Sequence, residues 1–136
     1  MRSMSAEAEL HPDTSWIAIN HARLEATDRW CAAVGASRYV RVVIDEDRRT
    51  YAAWGLGVSS LRHFAGRQSL SAVAQLARRG IRNRHPAGTR WQQAGSFAVA
   101  ADGTIAWRHI PAHAGDLPDF ADAVAALGQG AGERSA

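Results

Sequence analysis

The first half of the chain alternates between strand-like and helix-like spacing of apolar residues. Short apolar runs at residues 15–20 (SWIAIN) and 39–44 (YVRVVI) predict two strands. Helical spacing between them predicts a helix that ends at Gly35, with an apolar face formed by Leu24, Trp30, Cys31 and Val34. Residues 48–54 predict a shorter helix that stops at Gly55. This strand–helix–strand–helix order is typical of parallel strands joined by helical crossovers.

The second half predicts a helix, a surface loop, a β-hairpin and a closing helix. In that order these elements occupy residues 69–79, 81–94, 96–110 and 116–127. The dipeptide Asp102-Gly103 predicts the tight turn of the hairpin. Asp116 or Asp119 is expected near the start of the closing helix, where a carboxylate can accept hydrogen bonds from exposed backbone N–H groups.

The chain has 136 residues, of which 46% are hydrophobic, and this is enough for one soluble domain. Residues 1–14 lack periodicity and residues 128–136 are rich in glycine, so we expect a loose leader and a flexible tail around a domain of residues 15–127. No apolar run approaches the roughly 20 residues that cross a bilayer, and the N-terminus has no apolar signal region. These features predict a cytoplasmic protein without a membrane partner.

The charge of the chain is mildly positive, with sixteen basic residues against thirteen acidic residues and a net charge of +3. All sixteen are arginine, and five of them share a short stretch without acidic residues. These five are candidate anion-binding residues: Arg78, Arg79, Arg82, Arg84 and Arg90. No nucleic-acid-binding motif accompanies them, so nucleic acid is not expected as a partner. A solvated basic loop is the simpler interpretation.

Three motifs occur in an order that resembles a known family. Residues 42–57 read VVIDEDRRTYAAWGLG, residues 91–99 read WQQAGSFAV before Asp102-Gly103, and the closing stretch contains Asp116, Pro118, Asp119 and Phe120. Together they resemble the peroxiredoxin-like AhpC/TSA group of the thioredoxin-like superfamily. The resemblance spans about residues 15–127. It implies an α/β thioredoxin-like fold and an antioxidant, oxidoreductase-related function.

The resemblance also implies a reactive cysteine at the N-terminus of a helix that follows the first core strand. That strand and helix would precede Trp16, but residues 1–14 contain no cysteine. We therefore expect an N-terminally truncated member that lacks this strand and helix. The two flanking strands could then pair directly, a second copy could complete the sheet, or the leader could fill the gap. A homodimer that completes the sheet is the expected partner.

Cys31 is the only cysteine of the chain, so two-thiol redox chemistry within one chain is excluded. A one-cysteine peroxidase site of the Thr-x-x-Cys type would need threonine at the position of Asp28. The carboxylate that stands there is expected to raise the pKa of the thiol. Cys31 is therefore a weak catalytic candidate, and a structural cysteine on the apolar helix face is the preferred interpretation.

A thiol-free site is the alternative, because tryptophan and histidine side chains can line a small-molecule pocket. The candidates are Trp54, Trp91, Trp107, His85, His109 and His113. His109 and His113 are four residues apart but straddle Pro111, and no histidine pair has ligand spacing within one predicted helix, so neither a metal nor another cofactor is expected. Two functions follow from the sequence. The chain is either an antioxidant-family protein that is not an active peroxidase alone, or a reassigned domain that binds or converts a small molecule.

Overall fold

The computed structural model describes residues 1–58, 92–113 and 115–132. These residues fall into two compact units, the first with residues 1–58 and 92 and the second with residues 93–113 and 115–132. Each unit is a mixture of helices and strands, and their order is the predicted one except for an additional helix at the start of the first unit. Every helix within the described ranges is too short or too polar to traverse a lipid bilayer.

The first unit is built on two parallel strands. Its elements in chain order are α1 (Arg2–Leu10), β1 (Trp16–Asn20), α2 (Leu24–Val34), β2 (Val40–Ile44) and α3 (Arg49–Ala53). β1 and β2 pair in parallel from Trp16 opposite Val40 to Asn20 opposite Ile44. The predicted parallel pairing is therefore confirmed. Trp16 and Val40 are buried, so the paired strands begin in the core of this unit.

Helix α1 lies where the sequence predicted a loose leader. It packs against β2, and its buried residues are Ser5 and Ala8. The hydroxyl oxygen of Ser5 accepts a hydrogen bond from the backbone N–H of Ser37 at 3.0 Å. No periodic apolar pattern marks this helix because small residues form its buried face, and tertiary contacts supply most of the stability of a short helix.

Helix α2 ends as its sequence predicts. Gly35 adopts left-handed backbone angles (φ 67°, ψ 61°), and its N–H donates to the carbonyl of Cys31. Near the other end, the buried hydroxyl of Thr27 donates to the carbonyl of Ala22 at 3.3 Å and accepts from the side-chain amide of Asn20 at 3.2 Å. These bonds join the end of β1 to the first turns of α2.

Helix α3 is held at its N-terminus by Asp45, the residue that follows β2. The carboxylate of Asp45 accepts backbone N–H groups from Arg49, Thr50 and Tyr51 at 3.1, 2.9 and 3.4 Å. These groups have no partner within a helix, and a carboxylate near them is stabilising. The carboxylate of Asp45 therefore caps α3. The intervening Arg48 has a positive φ of 57°, which lets the chain turn sharply before α3.

The second unit is a β-hairpin with one helix packed against it. Strands β3 (Ser96–Val99) and β4 (Ile105–His109) pair antiparallel, with Ser96 opposite His109 and Ala98 opposite Trp107. In the turn, Gly103 has a φ of 86°, and the carboxylate of Asp102 accepts the N–H of Thr104 at 3.0 Å. The predicted hairpin and its Asp102-Gly103 turn are confirmed.

The closing helix α4 (Phe120–Gly132) packs against both strands of the hairpin. It begins later than the predicted residue 116 because the residue before Pro118 is pushed away from helical angles. Asp119, one residue before the helix, accepts the N–H of Ala121 at 3.0 Å, as an N-cap residue does. The helix also runs past Leu127 into the segment predicted as a flexible tail.

The predicted helix at residues 69–79 lies outside the described residues, and so does most of the loop predicted at residues 81–94. Val58, the last described residue before this segment, forms an antiparallel bridge with Gln92, the first described residue after it. The side-chain amide of Gln92 also donates to the carbonyls of Leu56 and Gly57 at 3.3 and 3.0 Å. The positions that flank residues 59–91 therefore lie side by side.

Candidate functional site

Cys31 lies in the second half of α2, away from the N-terminus of that helix. Partial burial raises the pKa of its thiol, and the nearby carboxylate of Asp28 raises the pKa further. The expected effect of Asp28 is thus confirmed. A thiol reacts as the thiolate, so both causes reduce its reactivity at neutral pH.

At the C-terminal edge of β1 and β2, an aromatic cluster joins α3 to the sheet. The hydroxyl of Tyr51 donates to the carbonyl of Ile19 at 2.7 Å, and the ring of His21 meets the Tyr51 ring edge-on at 5.5 Å between centroids. Burial raises the pKa of Tyr51, and the Asp45 carboxylate adds to this effect. The phenol therefore stays neutral at neutral pH. Its contacts join α3 to β1 and to His21 and so stabilise the fold.

The second unit brings together two of the predicted pocket residues, Trp107 and His109. They are two residues apart on β4, so their side chains leave the same face of the strand. The two rings lie nearly parallel, with an interplanar angle of 14° and centroids 6.2 Å apart. His113 follows in the segment after β4.

Asp116 completes this cluster. One of its carboxylate oxygens lies 3.4 Å from Nε2 of His109, and the other accepts the backbone N–H of Ala112 at 2.8 Å. Its own N–H donates to the carbonyl of His113 at 3.1 Å. The His109 and Asp116 side chains are only 21% and 28% exposed. We refer to Trp107, His109 and Asp116 as the Trp–His–Asp cluster.

Sequence reasoning treated Asp116 as a helix-start residue and missed its contact with His109. The contact joins residues seven positions apart across an irregular segment, so no helical or strand periodicity marks it. The one available signal is the pair Pro111 and Pro118, which confines the intervening residues to a loop that can fold back on the strand end.

The Trp–His–Asp cluster offers an imidazole, a carboxylate and an indole ring in a partly buried setting. An imidazole beside a carboxylate can accept or donate a proton, and the orientation of its ring is set by that carboxylate. Among the described residues, no group of three His, Cys, Asp or Glu side chains is arranged to hold a metal ion. The cluster is therefore a candidate for polar contacts with a ligand.

The other predicted site residues are not part of this cluster. Trp54 lies in the first unit, directly after α3, and its side chain is exposed. The remaining candidates lie outside the described residues: His85, Trp91, Arg78, Arg79, Arg82, Arg84 and Arg90. The proposed anion-binding role of the arginines stays a prediction.

Comparison with models of protein families shows to which family the chain belongs. A family model described as AhpC/TSA antioxidant enzyme matches residues 3–113, which is most of the chain. The chain belongs to the AhpC/TSA antioxidant enzyme family. The resemblance inferred from the sequence is confirmed, and so is the α/β thioredoxin-like fold class. No curated protein and no solved structure matches the chain significantly.

The match to the AhpC/TSA family starts earlier than the resemblance seen in the sequence. It includes helix α1, whereas the motifs pointed to a start at about residue 15. The leader is thus part of the AhpC/TSA match. The missing first strand and its helix stay a prediction. In this AhpC/TSA chain of 136 residues, the only thiol is that of Cys31.

Proposed function

We propose that this AhpC/TSA-family chain does not turn over peroxide by itself. The observation that supports the proposal is the setting of Cys31, whose thiol pKa is raised by burial and by Asp28. Peroxide reduction begins with a thiolate attacking one peroxide oxygen while the other leaves as an alkoxide or hydroxide. The raised pKa leaves little thiolate to do this at neutral pH.

The cycle would also need a second thiol. The attack converts the cysteine to a sulfenic acid, which must condense with another thiol before it can be reduced. The 136 residues contain no other cysteine. Any reduction would therefore depend on a thiol supplied by a partner protein or a small molecule.

The test is peroxide consumption by the wild-type chain and by Cys31→Ser, with hydrogen peroxide as substrate and dithiothreitol as reductant. Dithiothreitol supplies the second thiol, so the assay tests the reactivity of Cys31 itself, and we expect both proteins to match the rate of the buffer with dithiothreitol alone because the raised pKa leaves little thiolate. Repeating the assay with thioredoxin and its reductase checks for a protein partner. Turnover by the wild-type chain that Cys31→Ser abolishes would show that Cys31 is a peroxidatic residue and contradict the proposal.

A second candidate function is the binding of a small molecule without thiol chemistry. It is supported by the Trp–His–Asp cluster, where an aromatic ring and a hydrogen-bonding pair lie together. Phenol is a suitable probe because it has one flat ring and one O–H donor. We expect phenol to shift the NMR signals of Trp107 and His109, and Trp107→Leu to weaken its binding. Saturable shifts confined to other residues would count against this site.

A further inference from the structure

The contact between His109 and Asp116 has a geometry that constrains where the imidazole carries its proton. Nε2 of His109 is buried and completes no hydrogen bond with the residues that the structure describes. It nevertheless lies 3.4 Å from one oxygen of the Asp116 carboxylate. The other oxygen of that carboxylate is held by the N–H of Ala112 at 2.8 Å, so the carboxylate is fixed in place from the loop side.

A neutral imidazole carries its proton on either Nε2 or Nδ1, and the other nitrogen is a bare acceptor. The environment of the ring selects between these two tautomers. If Nε2 were bare, a buried lone pair would face a carboxylate oxygen, and neither atom could donate. If Nε2 carries the proton, it points a donor at the carboxylate, and a shift of a few tenths of an ångström completes the hydrogen bond. The second arrangement avoids a buried acceptor without a donor.

We propose that Asp116 is a positioning residue that fixes the proton of neutral His109 on Nε2, so that Nδ1 is the acceptor nitrogen of the Trp–His–Asp cluster. The cluster then suits a ligand with an O–H or N–H donor, which Nδ1 can accept beside the indole ring of Trp107. This use of the site rests on the second candidate function. The assignment of the proton does not depend on it.

Three other ionisable groups of the described second unit do not take the place of Asp116. Strand β3 contributes no ionisable side chain, and Arg108 leaves β4 on the face opposite His109. The carboxylate of Asp119 accepts the N–H of Ala121, and that of Asp102 is bonded to Thr104 at the hairpin turn. The remaining groups are His113 in the same loop and Asp122 in the first turn of α4.

The test is proton–nitrogen NMR of the histidine side chains, which distinguishes an Nε2–H from an Nδ1–H imidazole. Signals of His109 are assigned by their loss in His109→Gln, and the comparison is made on spectra of the neutral imidazole. For the wild-type chain we expect the Nε2–H pattern. In Asp116→Asn, the single side-chain oxygen keeps the N–H of Ala112, and the new amide donor faces Nε2. We therefore expect His109 to switch to the Nδ1–H pattern.

Asp119→Asn is the matched control, because it makes the same change three residues later and should leave the His109 pattern unaltered. A wild-type chain with the Nδ1–H pattern would overturn the proposal, and so would an Asp116→Asn variant that is folded but keeps the Nε2–H pattern. If Asp116→Asn does not fold, the wild-type pattern alone decides. Failure of phenol to bind a chain with the Nε2–H pattern would remove only the second candidate function.

Discussion

Asp28 and Asp45 each lie near a titratable side chain and act on it in the same direction. Asp28 raises the pKa of Cys31 and Asp45 raises that of Tyr51, and in both cases burial is the larger cause. Each pair therefore keeps a potential nucleophile in its neutral form at neutral pH. The charges that surround these groups support a structural role for Cys31 and Tyr51.

The effect of Asp28 on Cys31 can be measured by alkylation. We expect Asp28→Asn to raise the rate at which iodoacetamide modifies Cys31 at neutral pH by about two-fold, the effect of one exposed charge. The gain arises because removal of the carboxylate lowers the thiol pKa and increases the thiolate fraction. Glu25→Gln is the control, since it removes the same charge from an exposed position nearer the start of α2. Equal rates for the two variants would show that Asp28 has no specific effect.

The raised pKa of the Tyr51 hydroxyl predicts that the free energy of unfolding depends on pH. Its folded-state pKa is raised above the ordinary value of 10.0, so the folded chain holds this proton more tightly than the unfolded chain. The free energy of unfolding must then fall as the pH rises from 10.0 through the folded-state pKa of Tyr51. Tyr51→Phe should lower the free energy of unfolding at neutral pH by about 1 kcal/mol, through loss of the bond to Ile19.

The same variant should lose less stability than the wild type when the pH is raised above 10.0, because it has no phenol to ionise. Urea unfolding across this range measures both effects. Tyr39→Phe is the control, since its hydroxyl accepts an exposed hydrogen bond from Arg38 at 2.8 Å and loss of such a bond should change little. A Tyr51→Phe variant with an unchanged alkaline slope would contradict the linkage.

At the scale of elements, alanine should have opposite effects on stability at two glycines, one that follows a helix and one that lies inside a helix. Gly35 follows α2 with a φ of 67°, whereas Gly128 lies inside α4. A methyl group added to either would meet nothing within 4 Å. Backbone conformation alone therefore decides the effect of alanine at these positions.

We expect Gly35→Ala to lower the free energy of unfolding by about 1 kcal/mol, because alanine is disfavoured in the left-handed region. Gly128→Ala should raise it by about 0.5–1 kcal/mol, because glycine costs that much inside a helix. Urea unfolding of the two variants beside the wild type is the measurement. Destabilisation by Gly128→Ala would mean that α4 is not helical at that position.

The sequence predicted those elements whose determinants are local. Gly35 as a helix end and Asp102-Gly103 as a turn each act within a few residues, and both are confirmed. Helix α1 escaped prediction because its buried face is made of small residues that give no periodic hydrophobic signal. The contact of His109 with Asp116 escaped because it depends on how a loop folds back onto a strand.

At the scale of the whole molecule, one face of the β1–β2 pair exposes apolar side chains and is a candidate contact surface between chains. Ile17 and Ile19 leave β1 on the same face, and the register places Val43 beside Ile19 on that face. Their exposed fractions are 43%, 37% and 36%. Three adjacent apolar side chains on one sheet face are a common feature of contact surfaces between chains.

We propose that a second copy of the chain covers this face, which is a different contact from the sheet-completing homodimer predicted from the sequence. Light scattering on a size-exclusion column should then give a mass of two 14.7 kDa chains. Ile19→Thr should shift the mass toward a single chain, because it removes apolar contact while a β-branched residue keeps the strand conformation.

Val99→Thr is the matched control for this variant. It makes a similar change at a residue of β3 that is 42% exposed, in the other unit, and should leave the mass at two chains. A wild-type mass of one chain would exclude the dimer. The exposed face of β1 and β2 would then need another partner, and the Trp–His–Asp cluster would have to function within a single copy. The opposite result, in which Val99→Thr dissociates the dimer and Ile19→Thr does not, would place the contact on the hairpin. The apolar face of β1 would then contribute nothing to association.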